Sequence, residues 1–302
     1  LEFRRVLFRS PAMLATRICG TGFETILQAA NQIALGSAQV VLAVGAESMS
    51  RNPVAAYTHR AGFRMGQIEF RDFLWEAFTD PATRQGMGNT AENVALKYGI
   101  TREPVDVFAS SSFAQAVAAQ QAGFHAGEIV PVVTETFELE GYATRGIKLQ
   151  GKLTEVSADT HARISPVEVL AKLRPVYEGG VQTGGNSAAL VDAAAACVVA
   201  SGAYAKANGK KPLARVVAAA VVGVPPEIMG IGPAPAIRLL LERTGLTLAD
   251  IGRFEINEAQ GAQTLAVGRE LGLDLARLNV NGGAIALGHP LATTGVRLTL
   301  TL

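Results

Sequence analysis

The segment that most constrains the fold runs from residue 279 to residue 297 and reads NVNGGAIALGHPLATTGVR. Its single histidine, His289, lies between Gly288 and Pro290 and follows the glycine pair Gly282 and Gly283. Glycine lets a backbone come close to a neighbour or a ligand, and proline fixes its own backbone angle. The segment therefore predicts a crowded loop that holds one imidazole still, which makes His289 a candidate general base or hydrogen-bond donor.

Cys19 lies in a second unusual loop, directly before a helical pattern that ends near Gly36. The apolar residues of this pattern recur three and four positions apart: Phe23, Ile26, Leu27, Ala30, Ile33 and Ala34. A helix N-terminus carries partial positive charge, so the pattern predicts a lowered pKa for the Cys19 thiol. A lone cysteine is more often a small buried apolar residue, but this setting, together with His289, favours a nucleophile.

The third candidate is Asn257, in the sequence FEINEAQ, which runs from a short apolar strand into a predicted helix over 261–271. Proteins with alternating strands and helices often place site residues where a strand gives way to a helix. Asparagine is equally suited to capping the N-terminus of a helix. Position alone leaves both interpretations of Asn257 open.

Composition indicates an ordinary globular enzyme and excludes several other classes. The 302 residues are 49% hydrophobic and include 32 glycines, which suits a large core around a buried parallel sheet. A net charge of +1 favours neither nucleic acid nor a membrane surface, and no apolar run is long enough to span a membrane. Two cysteines predict a reducing compartment, here the cytoplasm, and four histidines without metal-ligand spacing predict no metal site.

Three zones follow one another along the chain. Residues 15–50 predict a helix and then a strand over 39–44. Residues 51–182 are richer in charge and loops, with one helix over 104–122 opened by Thr101. Residues 183–224 again predict strands of small apolar residues, of which 216–224 is the clearest. Residues 225–302 again show the order helix, strand, helix and glycine-rich segment. The order suits a fold of two similar α/β halves.

Taken together, these residues resemble the thiolase family. That family has a Cys-x-Ser/Thr-Gly loop, an Asn-Glu-Ala motif and a Gly-His-Pro motif, and this chain matches them at Cys19, Asn257 and His289. Further matching stretches, in the family's order, are VGAESMS at 44–50, MGNTAE at 87–92, KLRP at 172–175, GNS at 185–187 and MGIGP at 229–233.

The resemblance implies an α/β fold of two similar βαβ halves in five layers (αβαβα), with an inserted loop domain. We expect the N-terminal half over 15–224, including a loop domain over about 51–182, and the C-terminal half over 225–302. Residues 1–14 do not resemble the family, and we interpret them as a sequence-end artefact. The family's late Cys-x-Gly motif has no match either, because Cys197 lies in the apolar run 193–200 and is interpreted as core. The chain is therefore expected to be an internal piece of a thiolase that is impaired in carbon–carbon bond chemistry.

The resemblance also implies the chemistry. Cys19 attacks an acyl-coenzyme A thioester, His289 activates the thiol, and Asn257 holds a water that stabilises an enolate. The substrate is a coenzyme A thioester such as acyl-CoA or 3-ketoacyl-CoA, with no separate cofactor. A homodimer or homotetramer is expected, without nucleic acid or membrane partners.

Four further residues are candidates for contacting the acyl group or coenzyme A. Met87, Ala218 and Gln260 occupy positions that resemble the family's pocket. Ala218 stands where the family has a serine, and Gln260 where it has a phenylalanine. Drift at positions that tolerate substitution explains these differences equally well. Arg174 could meet the coenzyme's phosphates or pair with Glu178. Two alternatives to a thiolase remain: a β-ketoacyl synthase-like condensing enzyme, against which Asn257 argues, and a non-catalytic acyl-CoA-binding protein.

Overall fold

The structure is a computed structural model that describes residues 10–57, 59–67, 69–138, 143–149 and 151–302. The chain folds as two compact units. The first unit contains the described residues up to Pro53 together with Val191–Ala219 and Pro290–Leu300. The second contains Val54–Leu190 and Ala220–His289, with the last two residues.

The regular structure of the described residues consists of α-helices, short 3-10 turns and two-stranded sheets, joined by loops. The helices are α1 Thr21–Ala34, α2 Phe73–Ala77, α3 Met87–Lys97, α4 Arg102–Gln121, α5 Val167–Leu170, α6 Gly202–Ala207, α7 Pro233–Thr244, α8 Gly261–Leu271, α9 Ala284–Leu287 and α10 Leu291–Thr301. The strands are β1 Val40–Ser48, β2 Val54–Ala55, β3 Arg71–Asp72, β4 Val132–Val133, β5 Glu135–Phe137, β6 Arg145–Ile147, β7 Glu155–Val156 and β8 Asp192–Ala200.

The first unit is built on one antiparallel pair of nine-residue strands. β1 pairs with β8 over their full length, from Val40 opposite Ala200 to Ser48 opposite Asp192. A small apolar core joins this pair to α1 and α10; its buried members are Ile26, Ala29, Ala43 and Val296. The other two-stranded sheets, β2 with β3, β4 with β7 and β5 with β6, lie in the second unit.

Glycines let the elements of the first unit approach one another closely. A Cβ atom added at Gly295 would lie 2.2 Å from the backbone nitrogen of Phe23, and one at Gly22 would lie 2.5 Å from that of Val296. A Cβ atom at Gly45 of β1 would lie 2.2 Å from the carbonyl oxygen of Ala292. Helix α10 therefore packs backbone to backbone against both α1 and β1, which any larger side chain would prevent.

The second unit has two apolar cores that share helix α4. The larger core gathers buried residues of α3, α4 and α8 with Phe254, Ile256 and Leu278. The smaller one packs Ala109, Phe113 and Ala116 of α4 against α9. Because α9 ends directly before Gly288 and His289, this packing fixes where the histidine loop begins.

The helices follow the sequence closely. The predicted helix over 261–271 is α8, and the one over 104–122 is α4, whose N-terminus is flanked by Thr101 as expected. The helix after Cys19 is α1, and Gly36 follows it with a φ of +74°, a left-handed conformation that glycine adopts without strain.

The observed strands agree less well with the predictions made from the sequence. The strand predicted over 39–44 is β1, but no strand forms over 216–224, where Val216, Val217 and Val221 are about half exposed. That segment pairs with no other strand of the described chain, so its β-branched residues lack the hydrogen-bonded neighbour that a strand needs. The expectation of a buried parallel sheet is also wrong for these residues, because their longest strands, β1 and β8, are antiparallel. Cys197 lies on β8 and is half-buried, so it is only partly the core residue that its apolar run predicts.

Candidate active site

Cys19 lies in the first unit, in a single 3-10 turn over Ile18–Gly20 that leads directly into α1. Ile18 has a φ of +46°, an uncommon conformation for a β-branched residue, and it holds the turn in a sharp bend before the helix. The side chain of Cys19 is half-buried and forms no disulfide. The predicted placement of Cys19 at the start of the helix is therefore confirmed.

The acidity of the Cys19 thiol differs from the prediction. The pKa of Cys19 is raised to about 11, mainly by burial; a hydrogen bond from its own backbone N–H opposes the rise, and the negative charge of Glu47 adds a smaller increase. The predicted lowering of the pKa is wrong because loss of hydration outweighs the backbone hydrogen bond that favours the thiolate. Cys19 therefore rests as a neutral thiol, and its chemistry needs a base that takes the proton as the sulfur attacks.

Asn257 and His289 meet in the second unit. The amide nitrogen Nδ2 of Asn257 lies 3.2 Å from Nε2 of His289, and the imidazole is 7% exposed. The amide donates when the ring carries its proton on Nδ1, which leaves Nε2 as the acceptor. The backbone N–H of His289 also donates to the carbonyl oxygen of Ala189, which fixes the loop at this residue.

The two interpretations of Asn257 are now separable. The residue that flanks the N-terminus of α8 is Gln260, so Asn257 does not cap the helix. Its side chain faces His289 instead, and its amide oxygen Oδ1 is buried without a hydrogen-bond partner among the described residues. A buried amide oxygen of this kind has the capacity to accept a hydrogen bond from a water or a substrate group.

One buried side chain beside this pair was not among the sequence candidates. Glu258 is 1% exposed, and its carboxyl group accepts hydrogen bonds from Ser112 and Asn279. A sequence signal for it exists, because alternation along FEINE places Glu258 on the same face as the apolar Phe254 and Ile256. A carboxyl group on an otherwise apolar, buried face requires partners, and so marks a structured polar site.

The four remaining candidates are distributed over both units. Met87, the first residue of α3, and Gln260 are both half-buried. The backbone of Gln260 forms an isolated antiparallel β-bridge with Ser187. Arg174 is exposed and no salt bridge joins it to Glu178, so the pairing considered from the sequence does not form. Ala218 is exposed in the first unit, outside any helix or strand. Among the described residues, the structure thus brings together Asn257 and His289.

Two broader properties concern only the residues that the structure describes. Within them, no three His, Cys, Asp or Glu side chains converge as a metal site would require. None of their helices is long and apolar enough to cross a membrane.

Comparison with known proteins covers nearly the whole chain. β-Ketothiolase BktB of Cupriavidus necator is 42% identical over 300 residues, covering 98% of this chain and 72% of the relative. Acetyl-CoA acetyltransferase of Pseudomonas aeruginosa is 43% identical over 299 residues, with 97% and 72% covered. This chain therefore spans about seven tenths of the length of these relatives.

Comparisons with solved structures and with family models give the same result as the comparison with these relatives. The crystal structure of human mitochondrial 3-ketoacyl-CoA thiolase in complex with CoA matches with a TM-score of 0.88 and 40% identity, covering 97% of this chain and 71% of that one. That match confirms the α/β fold class that the sequence motifs imply. The family model described as thiolase, N-terminal domain, matches residues 6–203, and the one described as thiolase, C-terminal domain, matches residues 210–302. The chain belongs to the thiolase family.

Proposed function

We propose that this chain is an acyl-CoA acyltransferase of the thiolase type that carries the acyl group on Cys19. The observation that carries the proposal is the partly buried contact between Asn257 and His289, 3.2 Å from Nδ2 to Nε2, in a chain of this family. The Cys-x-Thr-Gly loop at Cys19 supports it, because this loop precedes a helix as a nucleophile loop does.

In the first half-reaction the sulfur of Cys19 attacks the carbonyl carbon of an acyl-CoA thioester. The thiol proton passes to His289 as the new carbon–sulfur bond forms, and from there to the departing coenzyme A sulfur as the original thioester bond breaks. A base is needed because the pKa of the Cys19 thiol, about 11, leaves little thiolate near neutrality. In the tautomer that carries its proton on Nδ1, the basic lone pair of His289 lies on Nε2, so the contact with Asn257 must give way as the thiol proton arrives.

In the second half-reaction a carbon nucleophile replaces coenzyme A. A second acyl-CoA loses an α-proton to a base and becomes an enolate, which attacks the acyl group on Cys19. The carbon–sulfur bond breaks, the 3-ketoacyl-CoA product leaves, and the base returns the proton to the Cys19 thiolate. In the family that this chain resembles, a later cysteine moves that α-proton. We assign the stabilisation of the enolate oxygen to His289 and to a water held by Asn257, whose buried Oδ1 offers an acceptor. Thiolytic cleavage is the same sequence in reverse.

Substrate contacts, assembly and compartment are part of the same proposal. Met87, Ala218 and Gln260 would meet the acyl or pantetheine end of coenzyme A, and the exposed guanidinium of Arg174 would meet its phosphates. Family resemblance supports a homodimer or homotetramer without a separate cofactor. A reducing compartment, the cytoplasm, is supported by the need for Cys19 to remain a free thiol.

An isotope-exchange assay tests the function without requiring carbon–carbon bond chemistry. The chain is mixed with acetyl-CoA and labelled coenzyme A, and transfer of the label into acetyl-CoA is followed. We expect exchange that is abolished in Cys19→Ala, lowered about 10²- to 10⁴-fold in His289→Ala because a general base is lost, and retained in Cys197→Ala. Absence of exchange in the folded wild-type chain, or undiminished exchange in Cys19→Ala, would contradict the proposal and favour a non-catalytic acyl-CoA-binding protein.

A further inference from the structure

A buried carboxyl group that the mechanism above does not use lies directly beside the Asn257–His289 pair. Oε2 of Glu258 accepts a hydrogen bond from the hydroxyl of Ser112 at 2.7 Å and from the backbone N–H of Ile285 at 3.2 Å. Oε1 of the same group accepts from the side-chain amide of Asn279 at 2.8 Å. One carboxyl group thus joins helix α4, the segment that precedes His289 and the segment that carries Asn257.

Asn279 strengthens the link between the last two segments. Its side-chain amide pairs with the backbone of Ile256, accepting from the N–H and donating to the carbonyl oxygen, each at 2.8 Å. Its own backbone has a φ of +47°, a left-handed conformation that asparagine tolerates better than most residues. A side chain therefore takes the place of a strand neighbour directly before Asn257.

The glycine pair of the histidine loop is explained by the same group. A Cβ atom added at Gly283 would lie within 2.3 Å of both carboxyl oxygens of Glu258, and one at Gly282 would lie 2.5 Å from the Cβ atom of Ala116. The N–H of Gly283 donates to the hydroxyl of Ser112 at 3.0 Å. The loop is thus pressed onto Glu258 and α4 at the start of α9, five residues before His289.

These contacts constrain both members of the pair. Burial alternates along 254–258, with Phe254, Ile256 and Glu258 buried and Asn257 less so. Successive side chains in an extended segment point to opposite faces, so fixing Glu258 on one face also fixes the direction of Asn257 on the other. On the other side, the bond to Ile285 holds α9, whose C-terminal end leads through Gly288 into His289.

We propose that Glu258 is a positioning residue that holds Asn257 and His289 in register with each other, through Ser112 and Asn279 and the backbone of α9. The inference rests on the proposed function for its catalytic meaning, but the geometry that it concerns exists in the free chain. Small displacements of catalytic groups have large effects on rate, on the order of 10²-fold for about 1 Å. We therefore expect Glu258 to affect turnover far more than substrate binding.

The variant Glu258→Gln in the full chain tests the role. It keeps the size of the side chain but replaces one acceptor oxygen with an NH₂ group, which would face the donors of Ile285 and Ser112 or of Asn279. The first readout is the imidazole of His289 in ¹⁵N-edited NMR spectra, assigned with His289→Ala. We expect the tautomer signature and the titration midpoint of His289 to change. The second readout is the acetyl-CoA exchange assay, in which we expect the maximal exchange rate to fall on the order of 10²-fold while the acetyl-CoA concentration that gives half-maximal exchange changes little.

Two further variants keep the test decisive. Ser112→Ala removes one donor to Glu258 and leaves the carboxyl group in place, so we expect a smaller change of the His289 signals in the same direction. Glu92→Gln is the matched control, because Glu92 accepts from the backbone N–H groups of Val181 and Gln182 and makes no contact with this network. It should lose stability and leave the His289 signals unchanged.

Unchanged His289 spectra in both Glu258→Gln and Ser112→Ala would overturn the positioning role, and so would an equal change in Glu92→Gln. The NMR readout requires no turnover. A wild-type chain that fails the exchange assay would therefore remove the proposed function without deciding whether Glu258 positions the pair.

Discussion

Among single residues, Cys19 is the one on which the proposed chemistry depends most, and the protonation state of its thiol decides how it becomes a nucleophile. With a pKa of about 11, raised mainly by burial, the thiol is almost entirely neutral near pH 7. A preformed thiolate would react with any electrophile, whereas a neutral thiol reacts when a base and a bound thioester are both in place. The structure therefore favours a nucleophile that is activated during the reaction.

The pH dependence of alkylation measures this state directly. A raised pKa means less thiolate at any given pH below it, so the rate of Cys19 alkylation by iodoacetamide should rise about tenfold per pH unit between pH 7 and pH 10. The Cys197→Ala chain leaves Cys19 as the one cysteine to react, and intact mass reports the adduct. A plateau in rate near neutral pH would show a thiolate already present in the free chain.

The sequence predicted Cys19, Asn257 and His289 better than it predicted the residues that contact them. Cys19 and His289 stand in loops whose glycines and proline mark them, and Asn257 was named with its capping alternative still open. Glu258 was missed as a functional residue because its role depends on Ser112, 146 positions away along the chain. Hydrogen bonds of that sequence separation leave no local pattern, and the same holds for the burial that raises the pKa of Cys19.

Among the secondary-structure elements, helices were predictable and the arrangement of strands was not. Apolar spacing and the residues at helix ends locate α1, α4 and α8 almost to the residue, because helix hydrogen bonds are local. A strand depends on a partner from elsewhere in the chain, and the apolar run over 216–224 has none among the described residues. The same dependence on distant partners explains why β1 and β8 pair antiparallel despite a composition that suggested a parallel sheet.

The close approach of α1 and α10 predicts that a larger residue at Gly295 would destabilise the first unit. A methyl group at Gly295 would press on the backbone of Phe23 at 2.2 Å, where no side chain can move aside. We expect Gly295→Ala to lower the free energy of unfolding by at least ~2 kcal/mol, because overpacked sites cost about 1–3 kcal/mol and this contact is with backbone. Urea unfolding followed by circular dichroism measures the loss.

Gly202 provides the matched control for this change. It is the first residue of α6, and a Cβ atom there would meet nothing within 4 Å. Gly202→Ala should therefore be neutral or slightly stabilising, since alanine favours the helix and restricts the unfolded chain. Equal stability of Gly295→Ala and Gly202→Ala would mean that α1 and α10 do not approach as closely as the structure has them.

For the whole molecule, the order of several weak motifs was more informative than any single one. Family membership is shown over both matched regions, 6–203 and 210–302. The division into halves at about residue 224, with a loop domain over about 51–182, stays a prediction. The roles of Met87, Arg174, Ala218 and Gln260 also stay predictions, because contacts with a substrate depend on its shape, which a sequence does not contain.

Intact mass spectrometry measures acylation of Cys19 without requiring any further step of the reaction. The purified wild-type chain and Cys19→Ala are each mixed with acetyl-CoA, quenched in acid and weighed. We expect one added acetyl group on the wild-type chain, located at Cys19 by peptide mapping, and none on Cys19→Ala. A folded wild-type chain that gains no acetyl group, or a Cys19→Ala chain that gains one equally well, would show that Cys19 is not the carrier of the acyl group.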